Sequence, residues 1–160
     1  MLKILDSKLV YRAIGLIVGG VFVFAGISKA GHPDALAATI DGYGLVSWGM
    51  ATVIARVLPV VEIVSGLALM FDLRGGLGTI VAQLLGFIGV LAYGIHLGLD
   101  VDCGCFGPGD PAAAESHDLM PTLIRDVGLL AACLFLYWQR YAAGFAARVP
   151  NLSNLFRRTE

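Results

Sequence analysis

The chain has 160 residues, of which 58% are hydrophobic and 14% are charged, and its mean hydropathy is +0.81. A soluble domain of this length carries far more charged residues, so the composition predicts an integral membrane protein. The formal net charge of −1 identifies no partner, and no basic patch is interleaved with aromatic residues, which argues against binding of nucleic acid. The partner that the composition does indicate is the lipid bilayer.

Four apolar stretches are long enough to cross a bilayer, which takes about 20 residues at a rise of about 1.5 Å per residue. Between the first and the second stretch, a short amphipathic segment is expected to lie at the interface. We therefore predict an all-α, integral membrane four-helix bundle in which residues 1–160 form one domain. The predicted spans cover about residues 10–30, 51–71, 79–99 and 119–138.

A cleaved signal peptide is the alternative for the first apolar stretch, since Ser28-Lys29-Ala30 loosely resembles a cleavage site. The apolar core of a signal peptide is usually only about 7–15 residues long, and a lysine beside the cleavage site is unusual. We therefore favour a membrane span that stays in the protein.

Lysine and arginine are unevenly distributed between the two predicted sides of the membrane. The loop of residues 100–118 contains neither. The positive-inside rule then places both termini in the cytoplasm and this loop on the periplasmic or extracellular side. The membrane is expected to be the cell membrane, which is the inner membrane where two are present. Disulfides persist on the outward side of that membrane. The basic residues that support this orientation are Lys3, Lys8, Arg12, Arg74, Arg140, Arg148, Arg157 and Arg158.

Cys103 and Cys105 flank Gly104 in this outward loop and are the candidate catalytic residues. A disulfide needs Cα atoms about 4.4–6.8 Å apart, and a bent backbone with a permissive glycine meets that requirement. A bridge that closes so small a ring gains little stability and is expected to be reduced readily. These properties favour thiol–disulfide exchange over a purely structural role.

Two other interpretations of the cysteines stay open. The thiolates, with His96 or His117, are candidate ligands for a soft metal, although a second thiolate pair is lacking. An inert structural disulfide is the other alternative. The third cysteine, Cys133, lies within the fourth span and is interpreted as a packing residue.

Glu62 lies near the middle of the second span, where insertion scales assign a charged residue a cost of about 2.5–3.5 kcal/mol. Its side chain should therefore face the bundle interior and find a partner. Arg56 lies six residues earlier, on a different face of the helix. We expect a hydrogen bond to Gln83 or Tyr93, with a proton-relay role as the alternative.

Further ionisable residues are predicted near the outward ends of the spans. Lys29 and Arg125 either extend to the lipid headgroups or lie near the cysteines and favour the thiolate. His96 precedes Cys103 by about two helical turns, so it either lies beneath the loop or caps a helix end. The supporting site residues are therefore Glu62, Arg56, Lys29, His96 and Arg125.

The sequence resembles the MauE/DoxX-like family of redox-associated membrane proteins, whose MauE branch belongs to methylamine utilisation. The resemblance extends over about residues 12–140. One departure is Asp126, where similar sequences often have Asn after the arginine. The segments that carry the resemblance are Phe24-Ala-Gly-Ile-Ser-Lys29, Tyr43-Gly44, Leu58-Pro59-Val-Val-Glu62-Ile-Val-Ser-Gly66, Gly98-Leu-Asp-Val-Asp-Cys103-Gly-Cys105-Phe-Gly107 and Arg125.

The resemblance implies four transmembrane helices and disulfide handling outside the cytoplasm. In the MauE branch it implies maturation of a disulfide-rich dehydrogenase subunit in methylamine metabolism, with a thioredoxin-like partner or an exported disulfide-containing protein. No cofactor is expected beyond the redox-active disulfide. The DoxX name raises a quinone-coupled oxidoreductase subunit as an alternative, for which the chain has no recognisable motif. Whether the protein is itself a thiol–disulfide oxidoreductase, and in which direction electrons flow, stays open.

Overall fold

The computed structural model describes residues 8–99 and 119–143, with side chains as far as residue 141. The predicted loop of residues 100–118, with Cys103 and Cys105, lies outside the described residues. The five elements are all α-helices, and four of them are long and apolar enough to cross a membrane. This confirms the predicted all-α membrane bundle. The helices are α1 (Lys8–Ala30), α2 (Pro33–Gly42), α3 (Trp48–Met70), α4 (Gly76–Leu97) and α5 (Met120–Ala143).

The helices extend beyond the apolar runs from which the spans were predicted. α3 begins at Trp48 and α4 at Gly76, whereas the predicted spans begin near residues 51 and 79. α5 continues to Ala143, beyond the predicted end near residue 138. The residues at these helix ends are interfacial, glycine-rich or polar, so their hydropathy is too low to extend the predicted spans. Their backbones nevertheless continue the helical hydrogen bonding.

Glycines allow α1 and α3 to pack with their backbones in close contact. A Cβ atom on Gly66 would lie 2.7 Å from the carbonyl oxygen of Gly19, and one on Gly26 would lie 2.8 Å from that of Pro59. Only residues without a side chain permit such an approach. The two helices are therefore antiparallel and in a defined register, with Glu62 between the levels of these two contacts.

The bundle has two distinct ends. α1 and α4 end, and α3 and α5 begin, at the end where α2 lies, which we call the α2 end. Tyr43 and Leu119 both pack there against Gly94, within 2.8 and 3.0 Å of the position that a Cβ atom would take. The flanks of the cysteine-containing segment, Leu99 and Leu119, are thus at the α2 end. At the opposite end, the turn of residues 71–75 joins α3 to α4, and we call this the turn end.

At the turn end, three polar residues form a closed cluster. The Tyr11 hydroxyl donates to Asp72 Oδ1 over 2.6 Å, and Arg140 Nη2 donates to the same oxygen over 2.6 Å. Arg140 Nε also donates to the Tyr11 hydroxyl oxygen over 2.6 Å. Asp72 has a positive φ of 54°, a conformation that Asp adopts more readily than most residues. This turn-end cluster links α1, the α3–α4 turn and α5.

Apolar side chains fill the bundle between the two ends. Val18, Leu77, Ile80 and Leu136 are fully or almost fully buried in one cluster. Cys133 is buried in the same cluster as a free thiol, in agreement with its interpretation as a packing residue. These apolar side chains lie between the turn-end cluster and the charged residues nearer the α2 end, together with the buried polar residues Ser65 and Gln139.

Candidate functional site

A buried ion pair between Lys29 of α1 and Glu62 of α3 is the centre of the candidate site. Lys29 Nζ donates to Glu62 Oε1, and the two side chains are only 4% and 1% exposed. The expected partners of Glu62 were Gln83 or Tyr93, and this expectation is wrong. Gln83 instead donates to the Ser65 hydroxyl over 2.9 Å, and Tyr93 is exposed.

Helix geometry explains how Lys29 reaches Glu62. Side chains of an α-helix lean toward its N-terminus, so a lysine near the end of α1 leans back toward the middle of the bundle. The register of α1 against α3 places Glu62 in that direction. The ammonium also lies 5.0 Å from the centre of the Phe87 ring, within the range of a cation–π interaction. Lys29 is therefore held inside the bundle and does not extend to the headgroups.

A second ion pair, on α5, joins two neighbouring residues. Arg125 donates to Asp126 Oδ1 from Nε over 3.2 Å and from Nη2 over 3.1 Å. Asp126 is buried, whereas the Arg125 side chain is 32% exposed. Asp126, which stands where similar sequences often have Asn, thus supplies a counter-charge for the adjacent arginine.

The two ion pairs meet at a small cavity in the middle of the bundle. Lys29, Glu62, Arg125 and Asp126 all line it, and we call these four residues the ionic quartet. Two cations and two anions make the quartet neutral overall. However, Glu62 Oε2 and Asp126 Oδ2 are buried without a hydrogen-bond partner among the described residues. Each leaves an acceptor unsatisfied in a site where desolvation is costly.

The structure does not bring Arg56 and His96 into the quartet. The buried face of α3 is formed by Ala51, Ala55, Pro59 and Glu62, at helical spacing, and Arg56 points away from it. His96 is exposed in the last turn of α4. Of the five supporting residues predicted, Lys29, Glu62 and Arg125 are therefore together and the other two are not.

Asp126 belongs to the site but was not among the predicted supporting residues. The sequence could have identified Asp126, because it is an acidic residue within an apolar span. Such a residue, like Glu62, is expected to face the bundle interior. The turn-end cluster was also not predicted. Arg140 was predicted only as a basic residue at the cytoplasmic side, because its contact with Asp72 joins distant parts of the chain.

A larger, mostly apolar cavity of about 350 Å³ lies between α2, α3 and α4. Lys29 and Phe87 line both this cavity and the small one at the quartet. Its other lining residues include Tyr43, Leu45 and Val46, which follow α2 at the α2 end. The quartet is therefore adjacent to a space that leads toward that end.

No group of three or more histidine, cysteine or acidic side chains in residues 8–99 and 119–141 is arranged to hold a metal ion. Cys103 and Cys105 lie outside this range, so this observation does not test the alternative of a soft-metal site at the two thiols.

Comparison with known proteins gives one match. A family model described as methylamine utilisation protein MauE matches residues 7–139. This range contains the ionic quartet and both cysteines of the Cys-Gly-Cys unit. Neither the curated proteins nor the solved structures provide a match. With four helices able to span a membrane and a match over most of its length, the chain is a multi-pass membrane protein that belongs to the methylamine utilisation protein MauE family.

Proposed function

We propose that this protein is a membrane redox protein whose Cys103 and Cys105 exchange thiols and disulfides with a thioredoxin-like partner. The exchange supports disulfide formation or maturation of exported proteins, of the methylamine dehydrogenase type. The observation that carries the proposal is the MauE match over residues 7–139, because it includes both cysteines.

The described helices support a defined position for the thiol pair. α4 ends at Leu97 and α5 begins at Met120, so both flanks of the cysteine segment are held at the α2 end. Lys8, Arg12, Arg74 and Arg140 all belong to the turn end. The positive-inside rule therefore favours a cytoplasmic turn end and an α2 end outside the cytoplasm.

The proposed exchange is a two-electron reaction in two steps. One cysteine thiolate attacks the partner's disulfide, so that a mixed disulfide forms and one partner thiolate leaves. The second cysteine thiolate then attacks the mixed disulfide, which yields a Cys103–Cys105 disulfide and the second partner thiolate. Two electrons pass from this chain to the partner, and the reverse sequence oxidises the partner by the same two electrons.

Thiol trapping in intact cells tests this proposal. With a membrane-impermeant reagent, Cys103 and Cys105 should be labelled in one redox state and protected in the other. A Cys105→Ser variant should accumulate a mixed disulfide through Cys103. Cys133→Ser is the matched control, because Cys133 is buried and should contribute nothing to labelling.

The proposal would be contradicted if the two cysteines never change redox state and the Cys105→Ser variant forms no mixed disulfide. Metal that copurifies with the protein and is lost in Cys103→Ala would instead favour soft-metal binding by the same thiols.

A further inference from the structure

Two unpartnered carboxylate oxygens face the same small cavity in the ionic quartet. We propose that this cavity binds one water molecule between Glu62 Oε2 and Asp126 Oδ2, and that the two carboxylates and this water form a proton-binding site reached from the α2 end. The proposal does not depend on the thiol exchange of Cys103 and Cys105.

The cavity has a suitable size for one water molecule. Its volume is about 20 Å³. A single water needs roughly 10–15 Å³ of such space and two to four polar partners. The space is too small for a second ligand of any size, and its remaining walls are apolar side chains, among them Phe22, Leu84 and Leu129.

The hydrogen-bonding groups at the cavity match the capacity of a water molecule. Water donates two hydrogen bonds, and two of the cavity-lining side chains, Glu62 and Asp126, each have a buried acceptor, Oε2 and Oδ2, without a partner among the described residues. Lys29 has an ammonium with three donors, of which Glu62 Oε1 takes one. The water can therefore donate to both carboxylates and accept from Lys29, which gives both carboxylate oxygens a partner.

Charge explains why this unit would bind a proton. Across the water, two buried carboxylates face each other, and protonation of either removes their mutual repulsion. The ionisable groups that line the cavity are Lys29 from α1, Glu62 from α3, and Arg125 and Asp126 from α5. α4 contributes only Leu84 and Phe87 to the lining, so no titratable group from α4 competes for the proton.

The surroundings of the quartet make access one-sided. Toward the α2 end, Lys29 and Phe87 separate the small cavity from the cavity of about 350 Å³. Toward the turn end, Val18, Leu77, Ile80 and Leu136 fill the bundle and separate the quartet from Asp72 and Arg140. A proton can therefore exchange with the α2 end, whereas the polar side chains on the way to the turn end, Ser65, Gln83 and Gln139, do not ionise.

Infrared difference spectroscopy of the protein in lipid nanodiscs tests the proposal. On acidification, the wild type should show a carboxylic-acid C=O band, together with an O–H band of a bound water that shifts when heavy-oxygen water is supplied. Glu62→Gln and Asp126→Asn should each remove the same component of the C=O band, because the two carboxylates share one proton, whereas the signal of the other carboxyl groups should remain. Cys103→Ser should retain both bands.

A pair of cavity variants keeps the test valid if the charge variants fail to fold. Ala25 lines the small cavity, and Ala25→Val should expel the water and abolish its O–H band while all four charges remain. Ala82→Val is the matched control, because Ala82 is exposed on α4. The proposal is overturned if the wild type lacks either band, if only one of the two carboxyl variants loses that component of the C=O band, or if the water band persists in Ala25→Val.

Discussion

The ionic quartet and the turn-end cluster both join helices through charged residues, but they differ in burial and in completeness. In the turn-end cluster, Asp72 and Arg140 are 31% and 16% exposed, and one tyrosine bridges them. In the quartet, Lys29 and Glu62 are almost fully buried, and two carboxylate oxygens lack partners. The turn-end cluster thus has the properties of a structural link, whereas the quartet keeps hydrogen-bonding capacity available for a ligand.

The largest effect that would sharpen this comparison is expected from Lys29→Met. Removing the ammonium leaves the Glu62 carboxylate buried without a counter-charge, which should lower the free energy of unfolding by about 3–5 kcal/mol. Reversible unfolding in mixed micelles measures the change. The double variant Lys29→Met/Glu62→Gln is the control and should recover much of the loss. Equal destabilisation by the single and the double variant would show that the ion pair is not the cause.

A smaller effect is expected where α1 and α3 hold the ion pair in register. Gly66→Ala should cost about 1–3 kcal/mol in unfolding free energy, since the new Cβ would lie 2.7 Å from the Gly19 carbonyl oxygen. Gly20→Ala is the matched control, because no heavy atom of a neighbouring group lies within 4 Å of its Cβ position. If both variants unfold at the same denaturant concentration, close packing at Gly66 does not set the register.

At the turn end, Tyr11→Phe tests whether that cluster is only a structural link. The variant removes the hydrogen bonds of the hydroxyl but leaves the ion pair between Arg140 and Asp72, so we expect a loss of about 1 kcal/mol. The same unfolding assay measures it, with Tyr141→Phe as the control, because Tyr141 is 94% exposed. The infrared bands of the quartet should not change, and their loss would mean that the two regions are coupled across the apolar layer.

The smallest effect is expected from Arg56→Gln. Arg56 is exposed on α3, away from the quartet, so its replacement should change the unfolding free energy by no more than about 0.5 kcal/mol. A large loss of stability in mixed micelles, or altered infrared bands of the quartet, would show that Arg56 does belong to the site, as the sequence analysis had predicted.

Hydropathy was sufficient to predict the four spanning helices, because the requirement for about 20 apolar residues is a local property of the chain. The same reasoning identified Glu62 as a residue that must face the bundle interior, and the structure places it there. It did not identify the partner of Glu62, since Gln83 and Tyr93 were as plausible as Lys29 from composition. It also included Arg56 and His96, because distance from a span end does not reveal which face of a helix is buried.

The pairing of Lys29 with Glu62 joins residues 33 positions apart and depends on how α1 and α3 are rotated and shifted against each other. Gly19, Gly26 and Gly66 determine that arrangement through contacts of backbone atoms, which a linear pattern of glycines does not specify. The apolar runs, the Lys and Arg distribution and the Cys-Gly-Cys unit are thus readable along the chain. The ionic quartet exists only because close helix packing places charged residues of α1, α3 and α5 around one cavity.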